Sequence, residues 1–178
     1  MIETLISSKT RIKLLLKFFL NSRTTSYLRG LESEFGESSN AIRVELNRLE
    51  NAGMLSSFVK GNKKFFKANQ QHPLFDEVHN IIKKYIGLDK IVDNVVEGLG
   101  DLHEVYLAGD FANGKDSSVI DILLVGDIDK EYLLKLITKT EHLIQRKIRY
   151  LIYGQNEIEL IDNNHKNPKP LLLWTKDQ

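Results

Sequence analysis

Between Lys9 and Leu20 the apolar residues Ile12, Leu15, Leu16 and Phe19 recur at helical spacing, with Lys9, Lys13 and Lys17 interleaved. The pattern predicts an amphipathic helix that begins at Ser8, whose hydroxyl can accept from a first-turn N–H, and that leaves those lysines outside. A shorter helix is expected after Ser26, with Leu28, Leu31 and Phe35 on its buried side and Gly36 at its end. A third helix is expected from a Ser38 cap. Ile42, Leu46 and Leu49 form its buried stripe, Ser39, Asn40, Arg43, Val44 and Asn47 project from the other face, and Gly53 stops it.

After Gly53 the periodicity changes. Met54 to Asn69 reads as two short strands around a Gly-Asn pair, the pattern of a tight β-hairpin with Phe58, Phe65 and Phe66 as anchors and Lys60, Lys63 and Lys64 at the tip. Pro73 opens a linker helix from Leu74 to Ile86, on which Leu74, Val78, Ile81, Ile82 and Tyr85 fall near helical spacing before Gly87. Ile91, Val92, Val95 and Val96 then predict a helix from Asp89 to Leu99, ended by Gly98 and Gly100. Beyond it come a strand from Glu104, a glycine-containing loop, a second strand to Val125, a helix from about Lys130 to Gln145 and a third strand, Lys147–Tyr153. A short acidic helix around Glu157 and Glu159 and a last apolar strand, Leu171 to Trp174, complete the series.

Charge divides the 178 residues as the elements do. The whole chain carries a formal +1, but Met1–Leu88 holds 14 Lys and Arg against 8 Asp and Glu, and the remainder 11 against 16. A basic module joined to an acidic one has this asymmetry, and two domains are expected, 1–88 and 89–178. With no cysteine, disulfides, thiolate metal sites and thiol catalysis are excluded. His72, His79, His103, His142 and His165 are scattered without the spacing of a metal site, so neither a metal nor any other cofactor is expected. The run Leu14–Leu20 is too short to cross a bilayer and is interrupted by Lys17, which makes the cytoplasm the default setting and leaves no membrane partner.

Three helices followed by a basic hairpin resemble the winged helix-turn-helix regulators of the arsenical-repressor and multiple-antibiotic-resistance kinds. The resemblance implies that the helix after Ser38 reads base edges in a major groove through Ser39, Asn40, Arg43, Asn47 and Arg48. Lys60, Lys63 and Lys64 would hold phosphates. It further implies double-stranded DNA as partner and a homodimer, with Pro73–Tyr85 either as its interface or docked on the second domain. The same residues also fit a solvated polar face and an edge hairpin whose lysines discourage aggregation.

The stretch Glu104–Val125 resembles the signature of the nucleotidyltransferase superfamily related to DNA polymerase β. There a Gly-Ser turn cradles phosphate and an Asp-x-Asp pair on the next strand holds divalent metal. Gly109, Phe111, Ala112 and Gly114 match the loop, and Ile120, Asp121, Leu123, Leu124 and Val125 match the strand. The serine of the turn is replaced by Asp110, the first carboxylate by Val119, and Arg149 and Tyr150 occupy the region of a third carboxylate. Two-metal phosphoryl transfer needs several carboxylates, and Asp110 puts negative charge where a triphosphate approaches. Gly109, Asp110, Gly114 and Asp121 are thus expected to be vestigial, and the chain to be no enzyme.

The expected fold class is a two-domain α+β / α/β chain, an N-terminal winged helix-turn-helix joined to a C-terminal nucleotidyltransferase-like mixed sheet with helices. The expected function is sequence-specific DNA-binding transcriptional regulation, with the second domain as scaffold, sensor or dimer partner; a small-molecule or nucleotide effector is left open. Two alternatives stand beside it. One is an active nucleotidyltransferase modifying a small molecule or partner protein, with Asp110, Asp116 and Asp121 forming an unusual metal site. The other is an antitoxin-like interaction module.

Overall fold

The computed structural model describes residues 6–96, 99, 101–164 and 169–176. Gly98, Gly100 and His165 lie outside the described residues. The chain divides into two compact units, Met1–Tyr85 and Ile86–Gln178.

In the first unit, helix α1 (Lys9–Leu15) is capped by Ser8, whose hydroxyl accepts from the Arg11 amide at 3.2 Å. It runs on into a wider π turn, Leu16–Leu20, in which five consecutive residues are buried. That turn overrides the 3.6-residue period on which Lys17 was expected outside. Lys17 lies inside, with its ammonium 3.0 Å from Glu34, the pairing that a buried charge requires.

Ser26 is not a helix cap either. It sits in a three-residue strand, β1 (Thr25–Tyr27), which pairs antiparallel with the hairpin and sets Ser26 opposite Phe66. Helix α2 (Leu28–Phe35) follows without a side-chain cap and ends at Gly36, in the left-handed region at φ 64°. Helix α3 (Ser39–Asn51) is capped by Ser38, as its sequence predicts, and buries Ile42, Leu46 and Leu49. Strands β2 (Leu55–Lys60) and β3 (Lys63–Ala68) form the hairpin, completing a sheet of order β1-β3-β2. Phe65 stacks on Phe58 at 5.6 Å and meets Tyr27 at 5.2 Å, tying the three strands together. Phe18, Phe19, Leu31, Ile42 and Leu46 make the core, and α4 (Phe75–Ile86) follows.

The second unit begins with α5 (Leu88–Ile91), extended by a π turn, Val92–Val96. Gly87 precedes it at φ 86°, and a Cβ there would lie 2.6 Å from Ile144 Cγ2. The sheet is built from β4 (Leu102–Ala108), β5 (Val119–Gly126), β6 (Lys147–Tyr153) and β7 (Leu171–Thr175) in the order β6-β5-β4-β7. Strand β4 pairs antiparallel with β5 and β7, while β5 and β6 are parallel. Parallel neighbours need a crossover, supplied by α7 (Lys130–Ile144), with Asp129 accepting from the amides of Glu131 and Tyr132 as its cap. A four-residue helix, α6 (Gly109–Ala112), leads out of β4, and α8 (Ile158–Asn164) follows β6. The second unit is thus a four-stranded mixed sheet with helices. No helix among the described residues is long and apolar enough to cross a membrane.

Two measurements check these packing arguments. Gly87→Ala should destabilise the protein by about 1–3 kcal/mol in urea unfolding, because alanine pays for both the positive φ and the contact with Ile144. Glu45 supplies a pH test. Burial works to raise its pKa, but hydrogen bonds from Arg11 and Ser8 and the charges of Arg11 and Arg48 outweigh it, holding the carboxyl below its ordinary value. A carboxyl depressed in the folded state stabilises above its unfolded pKa, about 4.3, and loses that contribution as pH falls through the folded value. The Tm advantage of wild type over Glu45→Gln should therefore be full at pH 7 and shrink steadily below pH ~4.3.

Candidate functional site

Strand β5 alternates in the way a sheet with two covered faces requires. Ile120, Ile122 and Leu124 are fully buried on one face, and Asp121, Leu123 and Val125 turn to the other. Register then decides what meets Asp121. Across β4 its partner is Ala108, and across the parallel β6 its partner is Arg149. The Arg149 Nε donates to Asp121 Oδ1, forming an ion pair between adjacent strands.

The turn leaving β4 is shaped by the same carboxylate. Gly109 has φ 63°, and a Cβ on it would lie 2.9 Å from Asp121 Cγ, so only glycine lets the chain pass this close. Phe111 and Ala112 are fully buried and anchor the turn. The amides of Gly114 and Lys115 close it by donating to the carbonyls of Phe111 and Asp110, each at 2.9 Å. Arg146 clamps the far side. Its guanidinium lies 5.2 Å over the Phe111 ring, bonds Asp116 at 2.8 Å and donates to the Ser117 carbonyl.

The result is a cavity of about 270 Å³ lined by Ala108, Gly109, Asp121, Leu123, Arg149 and Leu151, among others. Asp121 is 15% exposed and Arg149 73%, so the carboxylate forms the wall and the guanidinium the mouth. Asp121 raises the Arg149 pKa by its hydrogen bond and then by its charge, and the charge of Asp110 adds to this. The remaining N–H groups of Arg149 have no protein acceptor among the described residues. Asp110 is exposed at the turn.

The superfamily that Glu104–Val125 resembles uses divalent metal, and the donors present do not fit such a centre. Among the described residues no three His, Asp or Glu side chains come together to hold a metal ion. Asp121 is taken by Arg149 and Asp116 by Arg146, so Asp110, Asp116 and Asp121 do not form the metal site that one reading of the sequence required.

In the first unit, four of the residues expected to contact DNA meet in a cleft of about 490 Å³. Arg43 and Asn47 of α3 and Lys63 and Lys64 at the hairpin tip line it, together with Tyr27 and Arg29. Ser39, Asn40, Arg48 and Lys60 do not line it. Several cations already have partners: Lys64 bonds Glu50 at 2.7 Å, Arg48 bonds Glu45 at 3.1 Å, and Lys63 sits 4.3 Å over the Tyr27 ring. Two residues escaped sequence reasoning. Arg29 sits at the start of α2, where no motif marks it, and Arg149 was read only as a missing carboxylate. A cation in the middle of the strand KIRYLIY, one crossover from a lone Asp on a parallel strand, was the signal for the pair.

No family model matches the chain, and no curated protein matches it. Among solved structures it is similar to a protein from Sulfolobus solfataricus assigned provisionally as a nucleotidyltransferase. The two share 22% identity over 53% of this chain and 84% of that one, with a TM-score of 0.38. It is also similar to a mutant of the toxin-antitoxin MntA-HpeT, at 16% identity over 51% of this chain and 74% of that one, TM-score 0.40. A toxin-antitoxin with AMP-PNP matches at 17% identity over the same shares, TM-score 0.40. These neighbours are nucleotidyltransferase and toxin-antitoxin proteins rather than transcriptional regulators, and the expectation of a DNA-binding transcriptional regulator is corrected accordingly. The expectation of no enzyme is corrected with it. The physical reason lies in the site: counting carboxylates left Asp110 as an uncompensated negative charge and Asp121 without partners at Val119 and Arg149, whereas the Arg149 guanidinium supplies a positive charge at their side.

Proposed function

We propose that the chain is a nucleotidyltransferase that takes a nucleoside triphosphate at the Gly109, Asp121 and Arg149 cavity and passes its nucleotidyl group to a hydroxyl of a small molecule or partner protein. One observation carries the reading: the Arg149 guanidinium, fixed at one edge by Asp121, presents its other donors at the mouth of a cavity also lined by Leu123 and Leu151. A planar fork held in this way matches two oxygens of a phosphate. In the transfer, the acceptor oxygen attacks the α-phosphorus, the bond to the departing pyrophosphate breaks, and the hydroxyl proton passes to a carboxylate. Asp110 is assigned that last role, because it is exposed beside Arg149 and its carboxylate has no hydrogen-bond partner among the described residues. Asp121 acts through Arg149 as a positioning residue.

The first unit is taken as a winged helix-turn-helix used to bind a substrate or partner, an arrangement that includes antitoxin-like pairing with a protein acceptor. Its cationic cleft supports this use. Double-stranded DNA is carried as a ligand of that cleft, checked by a fall in affinity with salt. A homodimer through Pro73–Tyr85 is carried as well; Leu74 and Ile81 are exposed on that segment, and light scattering checks it.

The test of function uses the full chain with α-labelled ATP, GTP, CTP and UTP, in magnesium and separately in EDTA. Small-molecule and protein fractions from the source cell serve as acceptors. Label should move to an acceptor, and Asp110→Asn should slow the transfer roughly 10²–10⁴-fold, the usual contribution of a positioned proton acceptor. Failure to label any acceptor with any of the four nucleotides would overturn the proposal.

A further inference from the structure

We infer that this site binds the phosphates of its nucleotide without a divalent metal, the Arg149 guanidinium standing beside Asp121 as the cation of the site. The inference rests on the proposed function and specifies how the substrate is held. A divalent ion needs a carboxylate free to bind it and a cluster of further oxygen donors. Here Asp121 Oδ1 accepts from Arg149 Nε, Asp116 is bonded to Arg146 at 2.8 Å, and no group of three ligating side chains exists among the described residues. A divalent ion approaching Asp121 would also meet the positive charge of Arg149 at hydrogen-bonding distance, a repulsion that grows as water leaves the cavity. The same geometry favours an anion. Arg149 is 73% exposed, is held by one nitrogen only, and presents the remaining N–H groups to the cavity mouth, where a phosphate can accept two of them in parallel. Asp121 thereby serves as a fixed counter-charge that aims the guanidinium.

The experiment measures binding of labelled ATP, GTP, CTP and UTP to the full chain by equilibrium dialysis, in magnesium and in EDTA, with Mn²⁺ binding to the nucleotide-free protein followed by electron paramagnetic resonance. The Kd of the best-bound nucleotide should differ by less than about threefold between the two media, and Arg149→Gln should weaken it at least about tenfold in both, equivalent to about 1.4 kcal/mol. Arg149→Asp, which places a second carboxylate beside Asp121, should bind Mn²⁺ that wild type does not. Thermal melts establish that both variants are folded. Nucleotide binding that EDTA abolishes and magnesium restores would overturn the inference while leaving the proposed function standing. Tight Mn²⁺ binding by wild type would also overturn the inference alone, whereas unchanged affinity in Arg149→Gln would overturn both readings, because the proposed function places the phosphates on that guanidinium. Absence of nucleotide binding in both media would overturn both readings.

Discussion

The ion pair of Asp121 and Arg149 is the interaction on which the site depends, and it is a consequence of strand register. Side chains alternate along a strand, so a shift of β6 by one residue would turn Arg149 to the other face and bring Ile148 or Tyr150 beside the carboxylate. That register is held from the apolar side. Ile120, Ile122 and Leu124 of β5 are fully buried with Val105 and Leu107 of β4, and Ile148 on β6 is buried in the row next to the pair. Burial on one face therefore specifies chemistry on the other. Gly109 adds a second constraint, because the turn out of β4 fits against Asp121 only without a side chain.

The basic character of the first unit is less available than the count of lysines and arginines implies. Arg11, Lys13, Lys17 and Lys64 are committed to Glu45, Glu37, Glu34 and Glu50, and these pairs join elements distant in sequence. They spend positive charge on structure. The exposed pairs contribute little each, while the buried Glu45 with its two arginines matters more because a buried carboxylate left unpaired would be costly. Of the cations outside those pairs, Arg29, Arg43 and Lys63 meet in the cleft between α2, α3 and the hairpin tip. The charge of that surface is thus set by which glutamates the fold places elsewhere.

Much of the element order was legible because period and punctuation agreed. Ser38, Gly61 with Asn62, Gly87 and Asp129 sit where caps and turns belong, and the buried stripes of α3 and β5 follow from their spacing alone. Departures came where a long-range partner overrode a local signal. Ser26 looks like a helix cap until β3 offers strand pairing, and Lys17 looks exposed until a π turn rotates it inward toward Glu34. At the site, Gly109, Asp110 and Asp121 were found through the resemblance of Glu104–Val125 to the nucleotidyltransferase signature. The contribution of Arg149 could not be found that way, because it depends on the parallel register of two strands separated by a helix, and a reading of the chain as a list of carboxylates saw only what was missing. Asp116 shows the converse: spacing admitted it as a metal ligand, and a hydrogen bond from Arg146 removes it.

The central claim is that Asp121 and Arg149 act as one unit in holding phosphate. A double-mutant cycle on nucleotide affinity, using Asp121→Asn, Arg149→Gln and the pair together, tests it most directly. If Asp121 works by aiming Arg149, its substitution lowers affinity in wild type and has no further effect once Arg149 is gone. Additive losses, with Asp121→Asn weakening binding equally in both backgrounds, would contradict the account and make Asp121 an independent ligand.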